Sequence, residues 1–345
     1  MSSNMINVLK GVRHLTSTAM KQAGFELSVP VPWGEIRGKS WGPDHGRPVL
    51  CLHGWADNCG SFNTLIPLLP KECRYVAIDL AGHGLSSHRP PGVLYSFPYY
   101  VMDVRRVIDA LQWDKFSIIG HSMGGHVAGM FSALYPEMVD ALVFLDCYGF
   151  LPADPKELPD VMRRGMDEII QFDKRPEEKT RVYTYENAVK RLLAGNPSIS
   201  EESVHNILER GLVQVDGGVV FSRDFRINLK NIARQSMEQI VDMQSRIKSP
   251  ILLVLAEDGF NKQYDKSDTY RSALLQVYRE RKVRLIYLFS GLFKSSRTLK
   301  LPEWCRPLKE ATLLHNMVQA ELPLIPGEFI IAHTLLRTGA ASAGL

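Results

Sequence analysis

From residue 25 onward, short apolar runs alternate with stretches whose apolar residues recur at helical spacing. Residues 25–31 and 35–41 flank Pro32-Trp33-Gly34, which predicts two strands joined by a turn. Residues 48–52, 75–80, 116–120 and 141–145 are continuously apolar, the pattern of parallel strands covered on both faces. Val101, Val104, Ile108 and Leu111 recur every three or four positions, with Asp103, Arg105, Arg106 and Asp109 expected on the opposite, polar side. A helix there returns the chain to the start of another parallel strand. The alternation predicts an α/β fold with a mostly parallel, doubly wound sheet and right-handed crossovers.

The pattern changes near Gly149. Residues 151–231 are charged, helical in periodicity and poor in strand runs, with Gly217-Gly218 and residues 219–221 as a lone turn and strand. Strand runs return at 251–255, behind Pro250, and at 284–290. Because the sheet resumes, an insertion fits better than a second domain. The expected organisation is an N-terminal arm (1–24), a core (25–150 and 232–290), an inserted helical cap (151–231) and a divergent basic segment (291–345).

Composition narrows the function. The 345 residues carry 41 Lys and Arg against 37 Asp and Glu, the balance of an ordinary soluble globular chain. Residues 281–345 hold nine of the bases and only four acids, leaving residues 1–280 with a net charge of −1. A nucleic-acid surface spread over the whole chain is therefore not expected, and the near-neutral body suits an uncharged substrate. The five cysteines are odd in number, widely spaced and free of any metal-ligand pattern, which suits a reducing compartment. No apolar run reaches the length of a membrane span. The first 24 residues contain Lys10, Arg13 and Lys21 and no acid; they read as a mobile basic arm, with a mitochondrial-type targeting segment as the second reading.

Residues 115–125 read KFSIIGHSMGG, a buried-type strand running into Gly120-His121-Ser122-Met123-Gly124. A serine there occupies a sharp strand-to-helix turn, and the flanking glycines remove Cβ atoms that would clash in it. Its hydroxyl is offered at the carboxyl edge of the sheet, which makes Ser122 the expected nucleophile. His53-Gly54-Trp55 ends an earlier strand. Acyl transfer needs two backbone N–H donors aimed at the developing oxyanion, one after the nucleophile and one from this earlier loop, which nominates Met123 and Trp55. Residues 79–86, DLAGHGLS, read as turn chemistry with Asp79 accepting from backbone N–H groups; His83 and His121 read as scaffold. No G-x-G-x-x-G follows the first parallel strand and no metal-ligand cluster stands out, so nicotinamide and metallohydrolase chemistry are set aside.

The ordered motifs HGW, DLAGHGLS and GHSMGG resemble those of the α/β-hydrolase superfamily. PWGEIRGKSWG, VLCLHGWADN, AGHGLSSH, GHSMGGHVAGMF and YPEMVDALVFLD together resemble its serine hydrolase-like branch, over roughly residues 25–255. The resemblance implies a small-molecule ester or related acyl substrate, a Ser nucleophile, a helical cap between strands six and seven, and no cofactor. It also implies an intracellular, cytoplasmic protein, with perinuclear vesicles or the peroxisome as placements. The elbow serine argues against haloalkane dehalogenase and epoxide hydrolase chemistry, which need an Asp there. Aromatic and Met residues of the cap, such as Phe150, Met162, Phe172 and Tyr185, are candidates to line an apolar pocket.

An acid must orient the histidine base, and this fold places it after strand six or strand seven, which leaves Asp146 and Asp258 as equal candidates. Relatives carry the base after the last strand, yet the text following 284–290 holds no histidine before His315 and His333. Two explanations compete, an alternative C-terminal segment and a distant replacement histidine; the irregular proline spacing and the Ala-Gly-rich end favour the first. The expected function is a serine hydrolase whose turnover an atypical C-terminus impairs, and the alternative is a non-catalytic binding protein of the same fold.

Overall fold

The computed structural model describes residues 24–174, 181–195, 199–256, 268–280 and 284–288; Asp258, His315 and His333 lie outside them. β1 (Phe25–Val31) and β2 (Gly34–Trp41) form the antiparallel hairpin expected around Trp33. β3 (Arg47–Leu52), β4 (Cys73–Ile78), β5 (Phe116–His121), β6 (Val139–Leu145), β9 (Ile251–Ala256) and β10 (Arg284–Leu288) complete an eight-stranded sheet. Its order is β1-β2-β4-β3-β5-β6-β9-β10, parallel throughout from β4 to β10.

Two-residue alternation sends Leu50, Leu52, Val76 and Ile78 to one face and Val49, Cys51, Tyr75 and Ala77 to the other. The first face packs on α1 (Phe97–Leu111) and α2 (Met123–Leu134) through Val104, Ile108, Val127 and Phe131. The second is covered by Phe62, Leu65 and Ile66 from the segment between β3 and β4. Both faces are dry, which is why these strands read as unbroken apolar runs. One helix position departs from the amphipathic expectation. Asp103 of α1 is fully buried, where it pairs with Arg89 and with Arg106 at 3.0 Å. Two guanidinium partners make a buried carboxylate tolerable, and helical periodicity alone does not show them.

Between β6 and β9 the chain forms α3 (Leu158–Asp173), α4 (Tyr185–Gly195), α5 (Glu201–Gly211), the hairpin β7 (Leu212–Val215) and β8 (Gly218–Phe221), and α6 (Met237–Arg246). α7 (Asp268–Glu280) lies between β9 and β10. The strand suggested at 219–221 is one half of that hairpin. Its partner runs on directly from α5 with Val213 and Gln214 exposed, so no polarity break marks it. Ala188, Val189, Val204, Ile207, Leu208 and Val219 give these inserted elements a small core of their own.

Several groups of contacts fix the insertion to the sheet and to the loops and helix around it. Arg210 at the end of α5 is buried against Asp79, just beyond β4, and reaches Glu26 of β1 at 2.5 Å. Asp224 accepts from the Tyr95 hydroxyl at 2.7 Å and pairs with Arg226, which donates to the Pro90 carbonyl at 2.8 Å. At the neck, Ala153 N–H donates to the Gln235 carbonyl at 2.8 Å, and His126 of α2 accepts from Leu151 N–H at 3.2 Å while its other nitrogen meets Gln235 Oε1 at 3.3 Å.

Candidate active site

The chain leaves β3 for β4 on one side and returns to β5 on the other, so β3 and β5 are neighbours at a topological switch point. In open α/β sheets the crevice beyond the strand ends at such a point is where ligands bind. Trp55 follows β3, Ser122 follows β5 and Asp146 follows β6, at three adjacent strand ends.

Ser122 has φ +48° and ψ −113°, a conformation that L-residues hold only when their surroundings impose it. Its N–H donates to the Leu145 carbonyl at 3.1 Å, and its carbonyl accepts from the N–H groups of Gly125 at 2.9 Å and His126 at 3.3 Å. Close packing explains the glycines. A Cβ on Gly124 would lie 2.2 Å from the Leu52 carbonyl oxygen, and one on Gly120 would lie 2.7 Å from that of Gly124. One on Gly125 would meet the Cys147 sulfur at 2.1 Å. Burial pushes the Cys147 thiol up to about 12, so it packs under the elbow as a neutral group.

Met123 opens α2, where helix geometry leaves its N–H without an intrahelical acceptor. Among the described residues neither this amide nor that of Trp55 enters a backbone hydrogen bond. The Trp55 loop is braced from several sides. His53 donates from Nδ1 to the Gly54 carbonyl at 2.7 Å and accepts at Nε2 from Leu80 N–H at 2.9 Å, which fixes its tautomer. Trp55 Nε1 donates to the Ile227 carbonyl at 3.0 Å. His121 packs beneath Gly54, where an added Cβ would stand 2.9 Å from its Nδ1.

Asp146 is buried, has φ +49°, and donates its N–H to the Val254 carbonyl at 2.8 Å. Asp258, the other candidate acid, lies outside the described residues. No described histidine is hydrogen-bonded to Ser122. His53 and His126 are engaged as above, His83 meets the Ala81 carbonyl at 3.1 Å, His88 the Ser222 carbonyl at 2.8 Å and His205 the Tyr185 hydroxyl at 2.7 Å. Burial pulls the pKa values of His53, His121 and His126 down to about 4 and that of His83 to about 3, so all are neutral near pH 7. Among the described residues no group of three or more His, Cys, Asp or Glu could hold a metal ion, and no helix is long and apolar enough to cross a membrane.

A cavity of about 1680 Å³ lies between the Trp55 loop and the inserted elements. Its wall includes Trp55 and Ala56 but not Ser122, and Phe172 from α3. The other three residues nominated for such a pocket lie elsewhere. Phe150 belongs to the main core, Tyr185 is exposed and stacked on His205, and Met162 is outside the wall. Residue type shows apolarity, not which way a helix faces. Asp79 accepts from the N–H groups of Cys59 at 2.8 Å and Leu85 at 2.9 Å, the turn role expected of it. Its side-chain partner, Arg210, left no sequence signal because it stands 131 residues away.

An eight-stranded, mostly parallel sheet with a positive-φ serine between β5 and α2 defines the α/β-hydrolase class. The alpha/beta hydrolase fold family matches residues 47–283. The chain is 54% identical over 283 residues to the serine hydrolase-like protein of Danio rerio, covering 82% of this chain and 87% of that one. It is 42% identical over 250 residues to serine hydrolase-like protein 2 of Homo sapiens, covering 71% and 78%. A hypothetical protein from Pseudomonas aeruginosa PAO1, of known crystal structure, superposes with a TM-score of 0.70 at 28% identity, over 90% of this chain and 98% of that one. The chain belongs to the alpha/beta hydrolase fold family, within its serine hydrolase-like branch.

Proposed function

We propose that this α/β hydrolase is a serine hydrolase for an ester or related acyl substrate. The observation that carries the reading is Ser122, held at φ +48° at the switch point with the unengaged amides of Met123 and Trp55 at the same sheet edge. Ser122 Oγ attacks the acyl carbonyl, the two amides take up the oxyanion, and a histidine oriented by Asp146 or Asp258 accepts the hydroxyl proton and returns it to the leaving group. Water then attacks the acyl-enzyme and releases the acid. The histidine expected after the last strand is missing from the sequence, so the base is His315 or His333, which lie outside the described residues, or turnover is impaired for want of one; the inserted helices act as the cap over the substrate.

The test is labelling of the full chain with a fluorophosphonate probe, beside turnover of p-nitrophenyl acyl esters. Labelling and turnover that both vanish in Ser122→Ala support the reading. A folded chain that neither labels nor turns over is instead a binding protein of the same fold. That second reading draws on one observation, the absence of a described histidine bonded to Ser122.

A further inference from the structure

The cavity beside the Trp55 loop is richer in positive charge than the chain around it. Arg164, Arg181, Lys190, Arg191 and Arg223 supply five cations to its wall. Three carboxylates face them, and one of these, Glu168, is taken by Lys230 at 2.5 Å from outside the wall.

Arg223 differs from the guanidinium groups that anchor the inserted elements and the core. Arg89, Arg210 and Arg226 each pair with a buried carboxylate, that of Asp103, Asp79 and Asp224 respectively. Among the described residues Arg223 forms no such ion pair. It lies half-buried, 6.0 Å from the centre of the Trp55 ring and 5.9 Å from that of Phe221. Burial and, next, repulsion from Arg191 lower its pKa, and the attraction of Asp57 is the smaller effect. Arg191 and Arg181 lie over Tyr183 at 5.8 and 5.1 Å, and Tyr183 meets Phe221 edge-on at 5.5 Å. Three guanidinium groups thus lie around the Tyr183–Phe221 ring pair, and Arg223 links that pair to Trp55, whose amide is a candidate oxyanion donor. The wall carboxylates, Asp57 nearest in effect, offset only part of this charge, so an anion placed between the guanidinium groups relieves the remainder, and guanidinium forks suit carboxylate and phosphate oxygens.

We infer that the acyl substrate carries an anionic carboxylate or phosphate group, and that Arg223 and Arg191 bind it inside this cavity. The inference rests on the hydrolase reading for the chemistry at Ser122, while the anion site stands on the cavity alone. It replaces the uncharged substrate suggested by net charge, because a near-zero sum over 280 residues hides a local excess.

Non-hydrolysable amides of matched length test it: glutaramate, 4-phosphonobutanamide and neutral valeramide, titrated calorimetrically into the full chain. The anionic amides should bind at least about ten-fold more tightly than valeramide, as a charge-assisted hydrogen bond implies. The stronger of the two identifies the anion as carboxylate or phosphate. Arg223→Gln should lower the preference about ten-fold, and so should Arg191→Gln, whose exposed position on α4 leaves the fold intact. Equal binding of charged and neutral amides, no binding of either anionic amide, or a preference that survives both substitutions overturns the inference. A parallel comparison of kcat/KM for mono-p-nitrophenyl glutarate and p-nitrophenyl valerate separates the two claims. Anion preference without hydrolysis of either ester defeats only the hydrolase reading, whereas equal hydrolysis of both with no preference defeats only the anion site.

Discussion

Arg210 and Asp79 meet as a buried pair, with Nε 3.0 Å and Nη2 2.9 Å from Asp79 Oδ2, across 131 residues of sequence. The same carboxylate accepts from two backbone N–H groups, at Cys59 and Leu85, so a single side chain ties the insertion to the loops after β3 and β4. Removing one partner of a buried pair leaves the other charge uncompensated. Asp79→Asn should therefore cost about 3–5 kcal/mol of unfolding free energy in urea. Arg210→Met should also destabilise, and the double variant should lose less than the sum of the two, with a coupling of about 1–3 kcal/mol. A cost for Asp79→Asn of only a few tenths of a kcal/mol would show that the pair anchors nothing.

Acid should weaken the fold well before its carboxylates protonate. His53, His83, His121 and His126 have folded pKa values of about 4, 3, 4 and 4, below the ordinary 6.5. Between those limits the unfolded chain holds more protons, so stability is full above pH 6.5 and falls as pH drops, levelling once each folded pKa is passed. Near pH 5 each histidine contributes up to about 1.4 kcal/mol per pH unit. Urea unfolding between pH 5 and 6.5 should show that slope, reduced by about one proton in His126→Asn. The lowered carboxyl groups of Glu35, Glu168 and Asp224 act at lower pH, and Asp103, whose carboxyl pKa burial raises, opposes the slope by at most one proton against four imidazoles, so a flat profile in this window would contradict the burial of these imidazoles.

The triad acid can be assigned by a pair of variants. Asp146 follows β6 and Asp258 follows β9, and the two strands are neighbours in the sheet. An acid that sets the histidine tautomer loses about 10⁴ in kcat when made an amide, because the imidazole is then held the wrong way round. One of Asp146→Asn and Asp258→Asn should show that loss in ester hydrolysis, and the other a change of at most about ten-fold. Equal behaviour of the two would rule out a triad built on either.

The strands were legible because burial on both faces leaves an unbroken apolar run, and the elbow because tight packing demands glycine at fixed offsets from Ser122. The place of Trp55 just after β3, beside the strand end that carries Ser122, was legible from its motif, whereas its part as an oxyanion donor belongs to the proposed function. What escaped the sequence depends on partners distant along the chain. Asp103 reads as a surface acid until Arg89 is placed beside it. Arg210 and Arg223 look alike in the sequence, yet one is buried on Asp79 and the other lies over Trp55. The cluster of cations in the cavity is assembled from α3, α4 with the segment just before it, and the segment after β8, and no linear window contains it.

The neck at His126 has a consequence for how this protein can vary. Leu151 and Gln235 meet on one imidazole, and Ala153 pairs with Ser236 in parallel, so the excursion between them begins and ends at one place on α2. Loop-closure entropy grows only slowly with length, and the closure here is made at the neck. The stem from which the excursion springs is one helical turn from Ser122, and it stays the same however much chain is looped out above it. That loop can thus be lengthened, shortened or recharged while the strained serine below keeps its geometry, and on the proposed reading such changes alter substrate choice.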